Sequence, residues 1–284
     1  MDRHLNEIEY TPNSELLNPK RLVRNMVSDL LASRELAWRL FVRNISAQYR
    51  QSLLGYFWAF IPPLFTTLIW VFLNSQNILD VGDTGMPYPL FVLTGTVLWQ
   101  TFADALDSPL KLVSESKAML AKINFPREAL ILTSIGLVLF NFAIRAVLLV
   151  CVFAWYEVSV PTSILLVPLG VFSMILLGVM FGLLLTPLGI LYHDIGRLIS
   201  IGTQAWFFLT PVIYPVPETS WAATLVKLNP VTPLLQTTRE WLITGQSTQL
   251  TAFVFVTIAS LFLLIIGWVL FRIAMPHLIA RMSA

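Results

Sequence analysis

Six stretches of this 284-residue chain are almost free of charge, and the basic residues between them fall in alternate gaps. The uncharged windows are 51–79, 84–103, 129–156, 158–193, 198–217 and 241–271, interrupted only by Arg145. The tail before the first window holds Arg3, Lys20, Arg21, Arg24, Arg34, Arg39, Arg43 and Arg50. The second gap holds Lys111, Lys117, Lys122 and Arg127; the fourth holds Arg197, and the C-terminal tail Arg272 and Arg281. The first and third gaps hold no lysine or arginine, and the fifth only Lys227 and Arg239. Positive charge gathered in alternate gaps predicts six transmembrane spans with both termini in the cytoplasm.

Composition agrees with that reading. The chain is 56% hydrophobic and 12% charged, where a soluble domain is nearer one quarter charged. Six spans of about 20 residues take up about 120 residues, which leaves little for a soluble domain. The expected architecture is an all-α membrane protein. It has a cytoplasmic N-terminal region (1–54) with an amphipathic interfacial helix, a six-span domain (55–272) and a cytoplasmic tail (273–284). The first 50 residues lack the apolar stretch of a cleavable signal peptide, so the first span is expected to direct insertion. One cysteine, Cys151, excludes an intramolecular disulfide.

Residues 1–19 are polar, with Pro12 and Pro19. From Lys20 the periodicity turns helical, with Leu22, Met26 and Leu30 recurring and Asp29 among the polar neighbours. A second helix over 35–54 gathers Leu36, Leu40, Phe41, Ile45 and Tyr49 on one face. Arg39, Arg43 and Arg50 lie within about 40° of one another on the other, a pattern suited to a membrane interface.

The spans are expected near 56–74, 88–106, 129–155, 162–191, 198–215 and 250–271. Pro62-Pro63 should kink the first. The second gap reads as a short helix from Pro109 to Ala121, then Asn124-Phe125-Pro126-Arg127-Glu128. Gly178-x-x-x-Gly182 in the fourth span offers a ridge for close helix packing. A short loop, Tyr192 to Arg197, leads to the fifth. The segment 218–249 is too apolar for a solvated loop and reads as two short, re-entrant-type helices.

No P-loop motif, metal-spaced Cys/His cluster or carboxylate near the middle of a span is present, so neither ATP binding nor an ion-coupled relay is expected of this chain. No catalytic residue, metal or nucleic-acid partner is assigned. Arg145 stands ~25 Å of helical rise beyond Glu128. It is read as a buried or outward-snorkelling arginine satisfied by carbonyls, or as a contact for an anionic lipid headgroup. Aromatics crowd the first span (Phe57, Trp58, Phe60, Trp70, Phe72) and the fifth (Trp206, Phe207, Phe208, Tyr214). Helix packing and interface belts account for such residues; a channel wall stacking on sugar rings is the functional alternative.

Several motifs, in order, give the chain a family likeness. Tyr49-Arg50-x-Ser52-x-x-Gly55-x-x-Trp58-x-x-x-Pro62, Phe125-Pro126-Arg127-Glu128, Tyr192-His193-Asp194-Ile195, Thr210-Pro211-Val212-Ile213-Tyr214-Pro215 and Leu228-Asn229-Pro230 together resemble ABC-2 type permeases of O-antigen, capsule and teichoic-acid exporters, over about residues 34–272. His193 departs from the arginine usual in the third motif. The resemblance implies a homodimer paired with two copies of a separate ATPase, which would bind ATP and magnesium. It also implies a lipid-linked glycan crossing the bacterial cytoplasmic (inner) membrane between two subunits. Lys117, Lys122, Phe125, Pro126, Arg127 and Glu128 are then expected to couple to the ATPase, with Phe125-Pro126 as a rigid knob. Arg39, Arg43 and Arg50 would meet lipid or the substrate headgroup, and Phe57, Trp58, Phe60, Trp206, Phe207 and Tyr214 would line the glycan path. The rival readings are an ABC-2 permease for a drug or lipid, and a membrane enzyme acting on polyprenyl phosphate through His193-Asp194.

Overall fold

The computed structural model describes residues 19–282, apart from 51, 52, 54, 79, 80, 83, 124, 160, 193 and 217–220. Among the described residues every regular element is helical. The order is α1 (Pro19–Ala32), α2 (Arg34–Arg50), α3 (Ile61–Ser75), α4 (Tyr88–Glu115), α5 (Lys117–Lys122), α6 (Glu128–Trp155), α7 (Val167–Leu191), α8 (Asp194–Leu209), α9 (Trp221–Leu228), α10 (Val231–Ile243) and α11 (Leu250–Met282). Single 3-10 turns, Gly55–Ala59 and Thr162–Leu166, precede α3 and α7.

The spine is the pair α4 and α7. Two glycines one helical turn apart make it possible. A Cβ on Gly178 would stand 2.5 Å from the Ala105 Cβ and 2.7 Å from the Phe102 carbonyl oxygen; one on Gly182 would stand 2.6 Å from the Leu106 carbonyl oxygen. Only hydrogen fits there, so the backbones close up. The other elements build outwards from this pair. Helix α6 packs on α4, α2 on α6, and α11 on α7, while α3 and α8 flank α4. The molecule therefore has two ends. The basal end gathers α1, α2, α5 and the start of α6; the distal end gathers α9, α10 and the starts of α4 and α7.

Among the described residues three helical stretches are long and apolar enough to cross a membrane: Glu128–Trp155, Thr162–Leu191 and Leu250–Leu278. These carry the expected third, fourth and sixth spans. The second expected span lies on α4, which has the length, 28 residues, but carries Asp104, Asp107, Lys111 and Glu115 along its basal half. The first and fifth lie on α3 and α8, of 15 and 16 residues.

Several boundaries differ from the sequence expectation. Pro62 and Pro63 do not kink a helix. They sit in the first turn of α3, where the missing N–H groups would have had no helical acceptor. The helix expected from Pro109 to Ala121 is divided: α4 runs through Pro109 to Glu115, breaks at Ser116, and α5 follows. Pro109 is tolerated inside α4 because its ring lies in the notch at Gly182. The loop from Tyr192 to Arg197 is mostly helix, since α8 begins at Asp194, an acid placed at the positive end of the helix dipole. The expected tail after residue 272 is helical through Met282. Both short helices expected within 218–249 are present as α9 and α10.

Candidate functional site

The basal end is held by a three-way ion pair. Arg272, near the end of α11, gives Nη1 to Glu128 Oε1 at 2.7 Å and Nη2 to Asp29 Oδ2 at 2.7 Å. The guanidinium fork thus joins α1, α6 and α11. All three side chains are close to sealed, with Glu128 the deepest at 5% exposure. Asp29 is inward because it follows Leu22 and Met26 on the buried stripe of α1, and Ser33 continues that stripe. Helix α2 is fixed beside it: Ala37 and Leu40 are buried, and the Thr133 hydroxyl of α6 donates to the Ala37 carbonyl at 3.2 Å. Arg39, Arg43 and Arg50 are exposed on the outer face, as are Trp38 and Val42. Arg39 pairs with Glu35 one turn earlier at 2.5 Å, and Arg43 Nη1 lies 3.8 Å from the Met119 sulfur of α5.

The segment between α5 and α6 borders this clasp. Phe125 is not a free knob. It is 8% exposed and belongs to the main apolar core, because the turn before α6 folds the ring inward. Glu128 points to Arg272 and offers no outer surface. Lys122 is exposed, and Lys117, Pro126 and Arg127 are half-buried.

At mid-height, Arg145 of α6 approaches Asp104 of α4, with Nη1 to Oδ2 at 2.8 Å. The contact is an ion pair off the line of a hydrogen bond. It replaces the carbonyl or lipid partners expected for Arg145. Helical side chains lean towards the helix N-terminus, so Arg145 reaches basally and meets an acid there instead of snorkelling outwards.

The distal end is closed by a second arginine. Arg239 of α10 is buried, donates to the carbonyls of Pro211 at 3.2 Å and Val212 at 2.8 Å, and lies 3.8 Å over the Phe91 ring. Gly95 is required beside it, since a Cβ there would overlap both Arg239 and the Val212 carbonyl. Asn229 completes the join. Its Oδ1 accepts from Trp206 Nε1 and from the Val231 N–H, both at 3.0 Å, and its Nδ2 donates to Thr210 Oγ1 at 2.8 Å. The two motifs around Thr210-Pro211 and Asn229-Pro230 therefore meet in space.

Residues 35–243 match the family model of the ABC-2 type transporter. The chain belongs to that family. Among curated proteins it is similar to the O-antigen export system permease protein RfbA of Myxococcus xanthus, with 26% identity covering 74% of this chain and 81% of the relative. RfbA of Klebsiella pneumoniae is 23% identical over 72% of this chain and 78% of its own length. The polysialic acid transport protein KpsM of Escherichia coli is 21% identical over 82% and 91%.

In this ABC-2 transporter the aromatics expected to line a path divide into two sets. Phe57 and Trp58 are exposed and Phe60 is half-buried. Trp206 is half-buried: its ring packs against Phe102 at 5.2 Å and Phe181 at 5.5 Å, and its N–H is taken by Asn229. Phe207 and Tyr214 are half-buried, with Phe207 against Trp99 at 5.9 Å and the Tyr214 hydroxyl on the Phe208 carbonyl at 2.8 Å. His193, Ser52 and Asn124 of the motifs lie outside the described residues. Sequence reasoning missed Asp29, Arg272, Asp104 and Arg239 as structural partners. Only Asp29 carried a signal, as an acid in register with an apolar stripe.

Proposed function

We propose that this ABC-2 transporter is the permease subunit of an ATP-driven exporter that moves a lipid-linked cell-surface polysaccharide across the bacterial inner membrane. The observation that carries this reading is the family match over 35–243 together with relatives whose names specify O-antigen export and polysialic acid transport. The working unit is a homodimer with two copies of a separate ATPase, which bind ATP and magnesium. Six spans put both termini in the cytoplasm: α6, α7 and α11 supply three. Helix α4, α3 lengthened by the turn Gly55–Ala59, and α8 lengthened by 210–215 supply the others. The alternating charge of the sequence supports this orientation, with the basal end inside.

On this reading the ATPase engages the basal end around Lys117, Lys122, Pro126 and Arg127. Its push reaches the bundle through Phe125, seated in the core, and Glu128, clasped to Arg272. Rigid transmission is favoured because both contacts are buried and short. The outward arginines Arg39, Arg43 and Arg50 sit where anionic lipid or a substrate headgroup would be met. Exposed Phe57 and Trp58 offer stacking surfaces for sugar rings.

The test is removal of the gene from its host. Export should stop while glycan synthesis continues, so the lipid-linked polymer accumulates inside the cell. Unchanged surface glycan would overturn the assignment.

A further inference from the structure

Helix α4 is covered unevenly along its length. From Leu90 to Trp99 every residue is buried. From Gln100 onward one strip is left open: Gln100 and Asp104 are half-buried, and Asp107 and Lys111 are exposed. At 100° per residue these four fall within about 60° of arc. Of the rest of the basal half, Phe102, Ala105, Leu106, Pro109, Leu110, Leu112 and Val113 are buried, Ala103 and Ser108 are half-buried, and Ser114 and Glu115 are exposed. The four residues of this strip are polar and are bordered by Ala103, Ser108, Ser114 and Glu115, while the covered faces are mostly apolar.

Its depth makes this strip informative. Gln100 stands ~18 Å of helical rise beyond Tyr88 and Asp104 ~24 Å, against a hydrocarbon layer of about 30 Å. Asp104 thus lies ~6 Å inside the basal edge of that layer and Gln100 ~12 Å, and an ionised carboxylate paired there with a buried arginine faces water or another polar surface in preference to lipid. Asp104 keeps 32% of its side chain exposed although it already holds Arg145. Gln100 Oε1 is buried and has no hydrogen-bond partner among the described residues. The strip carries both signs of charge, Asp104 and Asp107 beside Lys111, with Arg145 of α6 paired to Asp104 and Glu115 exposed at its border. A wall that carries both donors and acceptors can exchange hydrogen bonds with a hydroxyl-rich chain sliding past.

We infer that the face of α4 from Gln100 to Lys111 walls a water-filled path open to the basal end, and that its ligand is the polyhydroxylated chain of the exported glycan. This rests on the export reading above. Asp104 and Arg145 lie one turn short of the deep end of the wall, where the charge of each holds the other in place.

Two measurements on the assembled transporter test the inference. Single cysteines are placed at Gln100, Asp107 and Lys111 in a Cys151→Ala background, with Leu139 and Phe172 as exposed apolar controls. A charged, membrane-impermeant methanethiosulfonate is applied from the cytoplasmic side. The strip positions should react at least tenfold faster than both controls. Equal rates would overturn the inference, as would spontaneous disulfides between two copies at these positions, which would mean that a second subunit covers the strip. The second measurement uses Gln100→Leu with Asp107→Leu. If the strip faced lipid, apolar replacement would leave export intact. Export should instead fall at least tenfold, with ATPase assembly and protein level unchanged. Wild-type export by this variant overturns the wall, whereas failure of the export reading would already appear as unchanged surface glycan in the gene deletion.

Discussion

Arg272 and Glu128 hold each other at 2.7 Å although 144 residues separate them, and the same guanidinium reaches Asp29. The pair ties the last helix to the first residue of α6. A guanidinium presents two parallel donors, which an ammonium cannot. Arg272→Met should therefore leave two buried carboxylates without their counter-ion and cost about 3–5 kcal/mol of stability. The thermal midpoint of the purified complex should fall accordingly. Arg272→Lys should recover part of the loss. The triple variant Asp29→Leu, Glu128→Leu, Arg272→Met should recover most of it, because an apolar cluster needs no pairing.

Asn229 satisfies Trp206, Val231 and Thr210 at once. Asn229→Leu strands these groups inside the distal join, and each buried unpaired group costs about 1–3 kcal/mol. Asn229→Asp keeps the acceptor for Trp206 and Val231 but loses the donor to Thr210. It should lie between wild type and leucine in thermal stability, whatever its effect on export.

Gly182→Val drives two methyl groups into the Leu106 carbonyl and the Pro109 ring. Overpacking of this kind costs about 1–3 kcal/mol or more, and backbone is the less forgiving neighbour. Loss of folded protein in membranes, measured by detergent extraction and gel filtration, is the expected outcome. Gly202→Ala on α8, where the added carbon meets nothing within 4 Å, should be silent in the same assay.

Lys122 is exposed at the end of α5. Lys122→Glu should weaken association with the partner ATPase by about 1 kcal/mol, the scale of an exposed charge pair, with the permease still folded. Affinity measured at two salt concentrations checks it, since the difference should shrink at high salt. Phe125→Asp is a poorer probe, because burial of that ring makes the change one of core packing as well.

The long helices were legible because an apolar run of spanning length has few alternatives. Helices α6, α7 and α11 begin within five residues of the spans expected near 129–155, 162–191 and 250–271. The small-residue spacing of Gly178 and Gly182 likewise foretold a close helix contact, since it depends only on local periodicity. The ion pairs were not legible. Asp29, Glu128 and Arg272 each look like an end-of-helix charge, and nothing local says that three such ends converge. Arg145 was recognised as costly, but its partner lies on another helix. Trp206 was read by residue type, whereas its surroundings are set by Asn229, 23 residues later. The ends of α4 and α8 escaped because the windows recorded where charge begins, and a helix does not stop for a charge.

The glycine contact between α4 and α7 has a mechanical consequence. At the two glycines only the Ala105 methyl and the Pro109 ring meet the facing backbone, and neither has rotamers to change, so the two helices behave as one stiff member. By contrast, α3 buries only Pro63 and Thr67, and α8 only Ile199. Lightly seated helices can tilt at little loss of packing. Any change of shape during transport should accordingly be carried by α3 and α8 swinging against a frame that itself stays fixed.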